Sequence, residues 1–62
     1  MKLIAALSNT RIDISVYEDE NGAAHAVRSR PHPLSWQMVH NPSLGRAMTA
    51  TEFAKFNRIP LV

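Results

Sequence analysis

The sequence predicts a small α+β domain, in which an antiparallel sheet of three to four strands with a central hairpin packs against one short C-terminal helix. Apolar and polar residues alternate over 11–17, Asn21-Gly22 follows closely, and Thr49 begins a capping-box spacing. Alternation with a period of two is typical of a strand with one buried face, and Asn-Gly is a strong hairpin signal. The 62 residues allow a single domain, 1–62, with a marginal core.

The first two strands follow from the N-terminal third of the chain. The apolar run MKLIAAL contains neither glycine nor proline, so we expect a strand over 2–7. Turn-forming residues at 8–10 separate it from a second strand over 11–17. In that strand Ile12, Ile14 and Val16 share one face, and the short connection favours an antiparallel pair.

The central hairpin joins the second strand to a third over 23–29. Asn21-Gly22 predicts a two-residue loop, because a type I′ turn needs positive φ at both central residues. Counting back from that loop places Val16 opposite Val27, as an apolar pair on the buried face. A wider turn would bring Val16 opposite His25 instead.

The segment after the hairpin is ambiguous. Pro31-His32-Pro33 ends the third strand, because proline lacks the N–H that a ladder needs. Residues 34–40, LSWQMVH, alternate in a way that suits an edge strand, although a helical turn fits nearly as well; we prefer the strand. Residues 41–45, NPSLG, predict a turn.

A short helix is expected over about 50–57. Thr49 and Glu52 have the spacing of a capping box, and Pro60 closes the segment. Phe53 and Phe56 lie three residues apart, so we expect them to share a face. A helix this short is not stable alone in water, so both phenylalanines are expected to dock on the apolar sheet face.

Composition indicates a soluble, cytoplasmic protein. There is no cysteine, which excludes disulfides and thiolate metal sites and fits a reducing compartment. The longest apolar run, 3–7, falls far short of the roughly 20 residues of a membrane span. A small domain without disulfides or a structural metal often gains stability from a partner or from self-association, so a homo-oligomer is possible.

Charge is distributed unevenly along the chain. Residues 1–22 carry two cations against four carboxylates, a net of −2, whereas residues 23–62 carry five against one, a net of +4. Such asymmetry points either to an electrostatically complementary partner or to ordinary solvation of both halves.

Nothing in the sequence has the pattern of a catalytic, cofactor or metal site. The three histidines, His25, His32 and His40, have spacings that match no recurring zinc motif. Two glycines cannot supply a phosphate-cradling loop, and the acidic run 18–20 is typical of a solvated hairpin tip. We therefore expect a non-enzymatic protein without cofactor or metal.

The candidate partner-binding residues are aromatic or basic. Arginines two apart on a strand point to one face and could grip phosphates or acidic side chains, or could meet only water. Tyr17 faces away from the apolar side of its strand. There it could be a contact residue for a partner, or it could only pack over its neighbours on the sheet. In a domain this small, a tryptophan such as Trp36 belongs to the core more often than to an interface. The candidates are Tyr17, Arg11, Arg28, Arg30 and Trp36.

The opening MKLIAALS, followed by ISVYEDENG, resembles the first part of small type I-F anti-CRISPR proteins. Those share a Met-Lys-apolar-Ile start, a Leu-Ser pair, and an apolar strand that ends Val-Tyr-Glu with Asn-Gly close behind. The resemblance covers residues 1–22 and implies an antiparallel sheet with helices, and binding to the backbone subunits of a crRNA-guided surveillance complex so that target DNA is blocked. It implies Tyr17 as a contact. The chain departs from the family in being shorter, in having Ala6 in place of an aromatic, and in lacking a long C-terminal amphipathic helix.

The leading hypothesis is a small inhibitory binding protein, carried by a phage or other mobile element, that occupies a surface of a larger protein or protein–nucleic acid assembly. The alternative is a small nucleic-acid-binding or regulatory domain that uses Arg28, Arg30, Arg46 and Arg58. An antitoxin-like partner of one neighbouring protein is a third possibility. The alternative requires that nucleic-acid affinity fall steeply with salt, because neutralised phosphates release counterions.

Overall fold

The structure is a computed structural model that describes residues 1–37, 40–41 and 45–62, with the backbone alone for 36–37 and 40–41. Over these residues the chain forms a four-stranded antiparallel sheet, a two-stranded ladder and a helix, which confirms the predicted α+β class. The sheet consists of β1 (Lys2–Ser8), β2 (Asp13–Glu18), β3 (Ala24–Arg30) and β4 (Leu34–Gln37), in that order. The ladder pairs β5 (His40–Asn41) with β6 (Arg46–Ala47). The helix, α1, spans Ala50–Phe56.

The turn between β1 and β2 is longer than expected, so β2 begins two residues late. The side-chain Oδ1 of Asn9 accepts the backbone N–H groups of Arg11 at 2.8 Å and Ile12 at 2.9 Å. The N–H of Asn9 donates to the carbonyl of Ile12 at 2.8 Å. Because Asn9 satisfies these donors locally, residues 9–12 form a turn instead of extending the strand.

The hairpin between β2 and β3 has a wider loop than predicted, and the predicted pairing of Val16 with Val27 is wrong. The N–H of Asp19 donates to the carbonyl of Ala23 at 3.1 Å, which leaves a three-residue loop over 20–22. Gly22 has φ of 80°, the left-handed conformation that a type I turn with a following bulge requires. The register is shifted by one residue, so Val16 lies opposite Ala26.

The Asp19 side chain explains the wider loop. Its Oδ1 accepts the N–H of Asn21 at 2.8 Å and that of Ala23 at 3.0 Å. A carboxylate that satisfies two backbone donors favours a turn that begins at its own residue. Since side chains alternate along a strand, the shift of one residue places Val27 on the face opposite that of Val16.

Two β-bulges interrupt the register of the sheet. In β1, Leu3 pairs with Tyr17 but Ala5 pairs with Val16, so Ile4 is an extra residue. In β3, Arg28 pairs with Ile14 but Arg30 pairs with Asp13, so the extra residue is Ser29. A bulge restarts the alternation of side chains, and residues on either side of it no longer share a face.

The core lies between α1 and one face of the sheet, called here the core face. Five of its ten clustered residues are alanines, which let the helix approach the sheet closely but bury little apolar area. The cluster contains Ala5, Ile14, Val16, Ala24, Ala26, Met48, Ala50, Phe53, Ala54 and Ile59.

The predicted capping box of α1 is confirmed, but only one of the two phenylalanines is buried. The N–H of Glu52 donates to Thr49 Oγ1 at 3.1 Å, and the N–H of Thr49 donates to Glu52 Oε1 at 3.0 Å. Phe53 is 8% exposed, whereas Phe56 is 77% exposed, so the expected docking of Phe56 is wrong. Helical residues advance by about 100° each, which puts Phe56 about a third of a turn from the buried side that Ala54 and Phe53 share.

The chain leaves α1 through a Schellman motif and then follows β1. Arg58 has φ of 57°, and its N–H donates to the carbonyl of Lys55 at 3.2 Å. The N–H of Ile59 reaches the carbonyl of Ala54 at 2.8 Å, which completes the motif and buries Ile59 in the core. Leu61 then forms an antiparallel bridge with Ala5, so this segment lies along the outer side of β1.

The preferred strand over 34–40 is confirmed for β4. Residues 38–39 lie outside the described residues, as do positions 42–44 of the predicted turn. His40 belongs to β5, whose ladder with β6 the sequence did not predict. From β6, Arg46 makes a bidentate pair with Glu52, with Nη1–Oε1 at 2.8 Å and Nη2–Oε2 at 3.0 Å.

Candidate functional site on the open face of the sheet

The sheet face opposite α1, called here the open face, is the candidate site. Its residues on the three longest strands are Leu3, Ala6, Ser15, Tyr17, His25 and Val27. None of these six is buried, whereas the core-face residues between them, such as Val16 and Ala26, are fully buried. The two faces of β2 and β3 therefore divide into one that stabilises the fold and one that meets solvent.

The centre of the open face is apolar and aromatic. Leu3, Tyr17 and His25 are paired across β1, β2 and β3, and Ala6, Ser15 and Val27 form the adjacent row. Leu3 is 39% exposed and Val27 is 46% exposed. Because β strands lie about 5 Å apart, these side chains form one continuous patch.

A histidine–carboxylate pair borders this patch towards the hairpin loop. His25 Nε2 lies 3.0 Å from Asp19 Oδ2, and both side chains are mostly shielded from solvent. The hydrogen bond with His25, together with the N–H groups of Ala23 and Asn21, lowers the pKa of the Asp19 carboxyl. Asp19 thus keeps its charge while it orients both the loop and the His25 ring.

The other end of the open face is a charged cluster around Asp13. Asp13 Oδ2 accepts from Ser29 Oγ at 2.8 Å and lies 3.6 Å from Arg30 Nη2. Arg30 Nη2 also donates to Ser8 Oγ at 3.3 Å. All four side chains are accessible, so the pair is screened by water and contributes little stability. The open face therefore has an apolar centre flanked by polar ends.

The structure brings two of the five predicted contact residues onto this face. Tyr17 is at its centre, and Arg30 is at its charged end, about 13 Å along the strand direction. The expectation that Arg28 and Arg30 share a face is wrong, because the Ser29 bulge separates them and puts Arg28 on the core face opposite Ile14.

The remaining two predicted contact residues lie elsewhere. Arg11 is in the turn at 9–12 and not on the polar face of β2, because Asn9 holds that turn. Trp36 is in β4, where its backbone is opposite that of Ala26, and its side chain lies outside what the structure describes.

Sequence reasoning missed the three large side chains that accompany Tyr17 at the centre of the open face. Val27 was assigned to the core because the two-residue loop gave the wrong register. His25 was considered only as a metal ligand, although its position opposite Tyr17 follows once the loop is counted from Asp19. Leu3 escaped notice because Ile4 is a bulge, and no residue type in MKLIAAL signals one.

No protein-family model, curated protein or solved structure matches this chain. Over the described ranges, no three histidine, cysteine, aspartate or glutamate side chains are close enough to hold a metal ion. In the same residues there is no helix whose length and apolar character would let it cross a bilayer.

Proposed function

We propose that this protein is a small, non-enzymatic binding protein that uses its open face to occupy a surface of a larger protein or protein–nucleic acid assembly. One observation carries the proposal: Tyr17, which is partly exposed, stands at the centre of an apolar patch that also contains the exposed Leu3 and Val27. Tyrosine is enriched among the hot spots of interfaces, which are surrounded by residues that exclude water. The charged end at Arg30 would then act as a rim that sets orientation.

The resemblance of residues 1–22 suggests which assembly to test first. These residues form β1, β2 and part of the hairpin loop, and they contribute Leu3, Ala6 and Tyr17 to the open face. On that basis we propose an anti-CRISPR-like inhibitor that binds the protein backbone of a crRNA-guided type I-F surveillance complex and blocks its access to target DNA.

A nucleic-acid-binding function is the second candidate, because charge is polarised along the molecule. The acidic residues 18–20 lie at the hairpin loop, whereas Arg11 and Arg30 lie at the opposite end of the sheet. Against it, the four arginines that the sequence suggested do not form one surface. Arg46 is paired with Glu52 near the start of α1, and Arg28 is on the core face.

The deciding experiment adds the purified protein to a crRNA-loaded type I-F surveillance complex before labelled target DNA. The proposal expects co-elution of the protein with the complex and loss of target-DNA binding, with no affinity for the DNA alone. Absence of both co-elution and inhibition would contradict the anti-CRISPR form of the proposal. Titration of labelled DNA and RNA at two salt concentrations tests the second candidate, which requires binding that weakens steeply with salt.

A further inference from the structure

The open face has one row of large side chains beside one row of smaller side chains, and both rows cross β1, β2 and β3. The large row consists of Leu3, Tyr17 and His25, and the smaller row consists of Ala6, Ser15 and Val27. On each strand the two rows are consecutive positions of the same face, about 7 Å apart where the strand is regular. Such a surface has a ridge beside a shallow trough, so it can fit a second copy of itself that is turned end to end.

The charges of the open face also differ from end to end. The hairpin-loop end has two carboxylates, Asp19 and Glu20, whereas at the other end Arg11 and Arg30 outnumber Asp13. The hydrogen bond with His25 and the N–H of Ala23 lower the pKa of the Asp19 carboxyl, so this end stays negative near neutral pH. Two copies that lie with opposite ends together are therefore attracted to each other.

Two arrangements about a two-fold axis keep the strands of two stacked sheets aligned. An axis parallel to the strands places each row over the same row of the other copy, and it brings the two acidic loops together. An axis perpendicular to the strands, between the two rows, instead places each large row over the smaller row of the other copy. The pairs across that interface are Leu3 with Ala6, Tyr17 with Ser15, and His25 with Val27.

The same perpendicular axis brings the opposite charges together. It lies level with Val16, midway between Tyr17 and Ser15. Asp19 and Asp13 are each three residues from that level along the chain, so Asp19 of one copy faces the row of the other copy that contains Arg30. Side-chain size and charge, which are independent properties of the face, thus favour the same antiparallel arrangement.

The size of the face sets the expected strength of the contact. Four strands about 4.8 Å apart and six residues of about 3.3 Å each give a face of about 19 Å by 20 Å. Two such faces bury on the order of 800 Å² in total, which is typical of weak or transient interfaces. A dimer of this kind exchanges with the monomer, and the monomer leaves the face accessible to a larger partner.

We propose that a second copy of this chain occupies the open face, in a weak, antiparallel, face-to-face dimer with Tyr17 of each copy over Ser15 of the other. Small domains without disulfides often gain stability by oligomerisation. The proposal deepens the proposed function and rests on it for the choice of surface, because it names a further occupant of the same face.

The first test is sedimentation velocity of the full chain from about 10 μM to about 1 mM, a range suited to weak association. No surveillance complex is present, so a negative result here leaves the proposed function in place. We expect monomer at the low end and dimer at the high end, and a weaker dimer at high salt, since exposed charges are screened over about 10 Å at 0.1 M. A single monomeric species up to about 1 mM would overturn the proposal.

A matched pair of variants tests the charges. Arg30→Met should weaken the dimer at low salt, whereas Lys55→Met removes one cation from the exposed part of α1 and should leave it unchanged. Equal effects of the two variants, or a dimer that does not weaken with salt, would contradict the placement of Arg30 opposite the acidic loop.

A swap of two side chains tests the arrangement itself. Ser15→Tyr places a large ring in the smaller row and should weaken the dimer at least about tenfold through overpacking. Adding Tyr17→Ser to that variant exchanges the two positions, so that tyrosine again lies over serine, and most of the lost affinity should return. Neither position is buried, and circular dichroism melts check that each variant is folded.

Isotope-filtered NOEs on a mixed labelled and unlabelled sample of the parent give a second readout that needs no variant. We expect an intermolecular NOE between the Tyr17 ring of one copy and the Ser15 side chain of the other. A dimer that tolerates Ser15→Tyr, a swap that recovers no affinity, or intermolecular NOEs confined to residues outside the open face would each overturn the proposal.

Discussion

Arg28 and Arg30 are separated by a single residue of β3 and lie on opposite faces of the sheet, because Ser29 between them is the extra residue of a β-bulge. Arg30 lies beside Asp13 on the open face, and Arg28 lies opposite Ile14 on the core face. One short stretch of strand therefore places an arginine on each face of the sheet, so the two faces can be altered independently.

Partner binding should respond to one of these arginines and not to the other. We expect Arg30→Met to weaken binding to the surveillance complex, and the loss to shrink at high salt, since exposed charges are screened over about 10 Å at 0.1 M. Arg28→Met should leave that affinity unchanged. Affinities measured at two salt concentrations provide the comparison, and equal losses for both variants would show that the binding surface is not confined to the open face.

The two phenylalanines of α1 should differ sharply in their effect on stability. Phe53→Ala removes a buried ring and should cost about 3–5 kcal/mol, enough to unfold much of a domain this small. Phe56→Ala removes an exposed ring and should change stability by no more than about 0.5 kcal/mol. Thermal melts monitored by circular dichroism make the comparison, and comparable losses would contradict the packing described for the helix.

Arg58 occupies a position that glycine would favour. Its φ of 57° is in the left-handed region, which costs an ordinary residue roughly 1–2 kcal/mol. Arg58→Gly should therefore be more stable than Arg58→Ala by about 1 kcal/mol, a shift in Tm of about 4–8 °C. The matched control is Gly22→Ala, which places a side chain at φ of 80° and should lower Tm. A Tm for Arg58→Ala equal to or above that of Arg58→Gly would disprove the left-handed assignment.

The pair of Arg46 and Glu52 should make stability depend on pH in acid. The hydrogen bond from Arg46, followed by that from the N–H of Thr49, lowers the pKa of Glu52 from 4.5 to about 2. Because the folded-state pKa is below the unfolded one, the stabilisation is complete above pH 4.5 and is lost as pH falls towards about 2.

Glu52→Gln tests this, because glutamine preserves the capping box but not the charge. The difference in Tm between the parent and Glu52→Gln should be constant above pH 4.5 and should vanish as the pH approaches about 2. Asp19, whose pKa is also lowered, is present in both proteins and cancels in the comparison. A difference that does not change across this range would mean that the charge of Glu52 does not stabilise the fold.

The predictions from the sequence were correct where a single short pattern determines the local structure. The capping box at Thr49 and Glu52, the strand over Leu34–Gln37 and the alternation of Ile14 and Val16 each depend on a short pattern, and the structure agrees with them. Asn21-Gly22 also marked the hairpin correctly.

The errors arose where two local sequence signals favoured different structures, or where similar side chains differed only in the direction in which they leave the backbone. The Asp19 carboxylate outweighed the Asn-Gly preference and moved Val27 from the core to the open face. The bulges at Ile4 and Ser29 have no composition signal, so the face of Arg28 could not be read from spacing. The face of Tyr17 was predicted correctly, because it follows from alternation with Ile14 and Val16 within β2, and both bulges are in other strands.

The most direct test of the central claim, that the open face binds a partner, compares Tyr17→Ala with Phe56→Ala. Each removes one aromatic side chain, the first from the open face and the second from the outer side of α1. The melting temperature and the Kd for the type I-F surveillance complex are measured on the same preparations. We expect Tyr17→Ala to remain folded and to bind at least about tenfold more weakly, even at high salt, while Phe56→Ala binds as the parent does. An unchanged Kd for Tyr17→Ala, or a loss explained by its unfolded fraction, would contradict the claim.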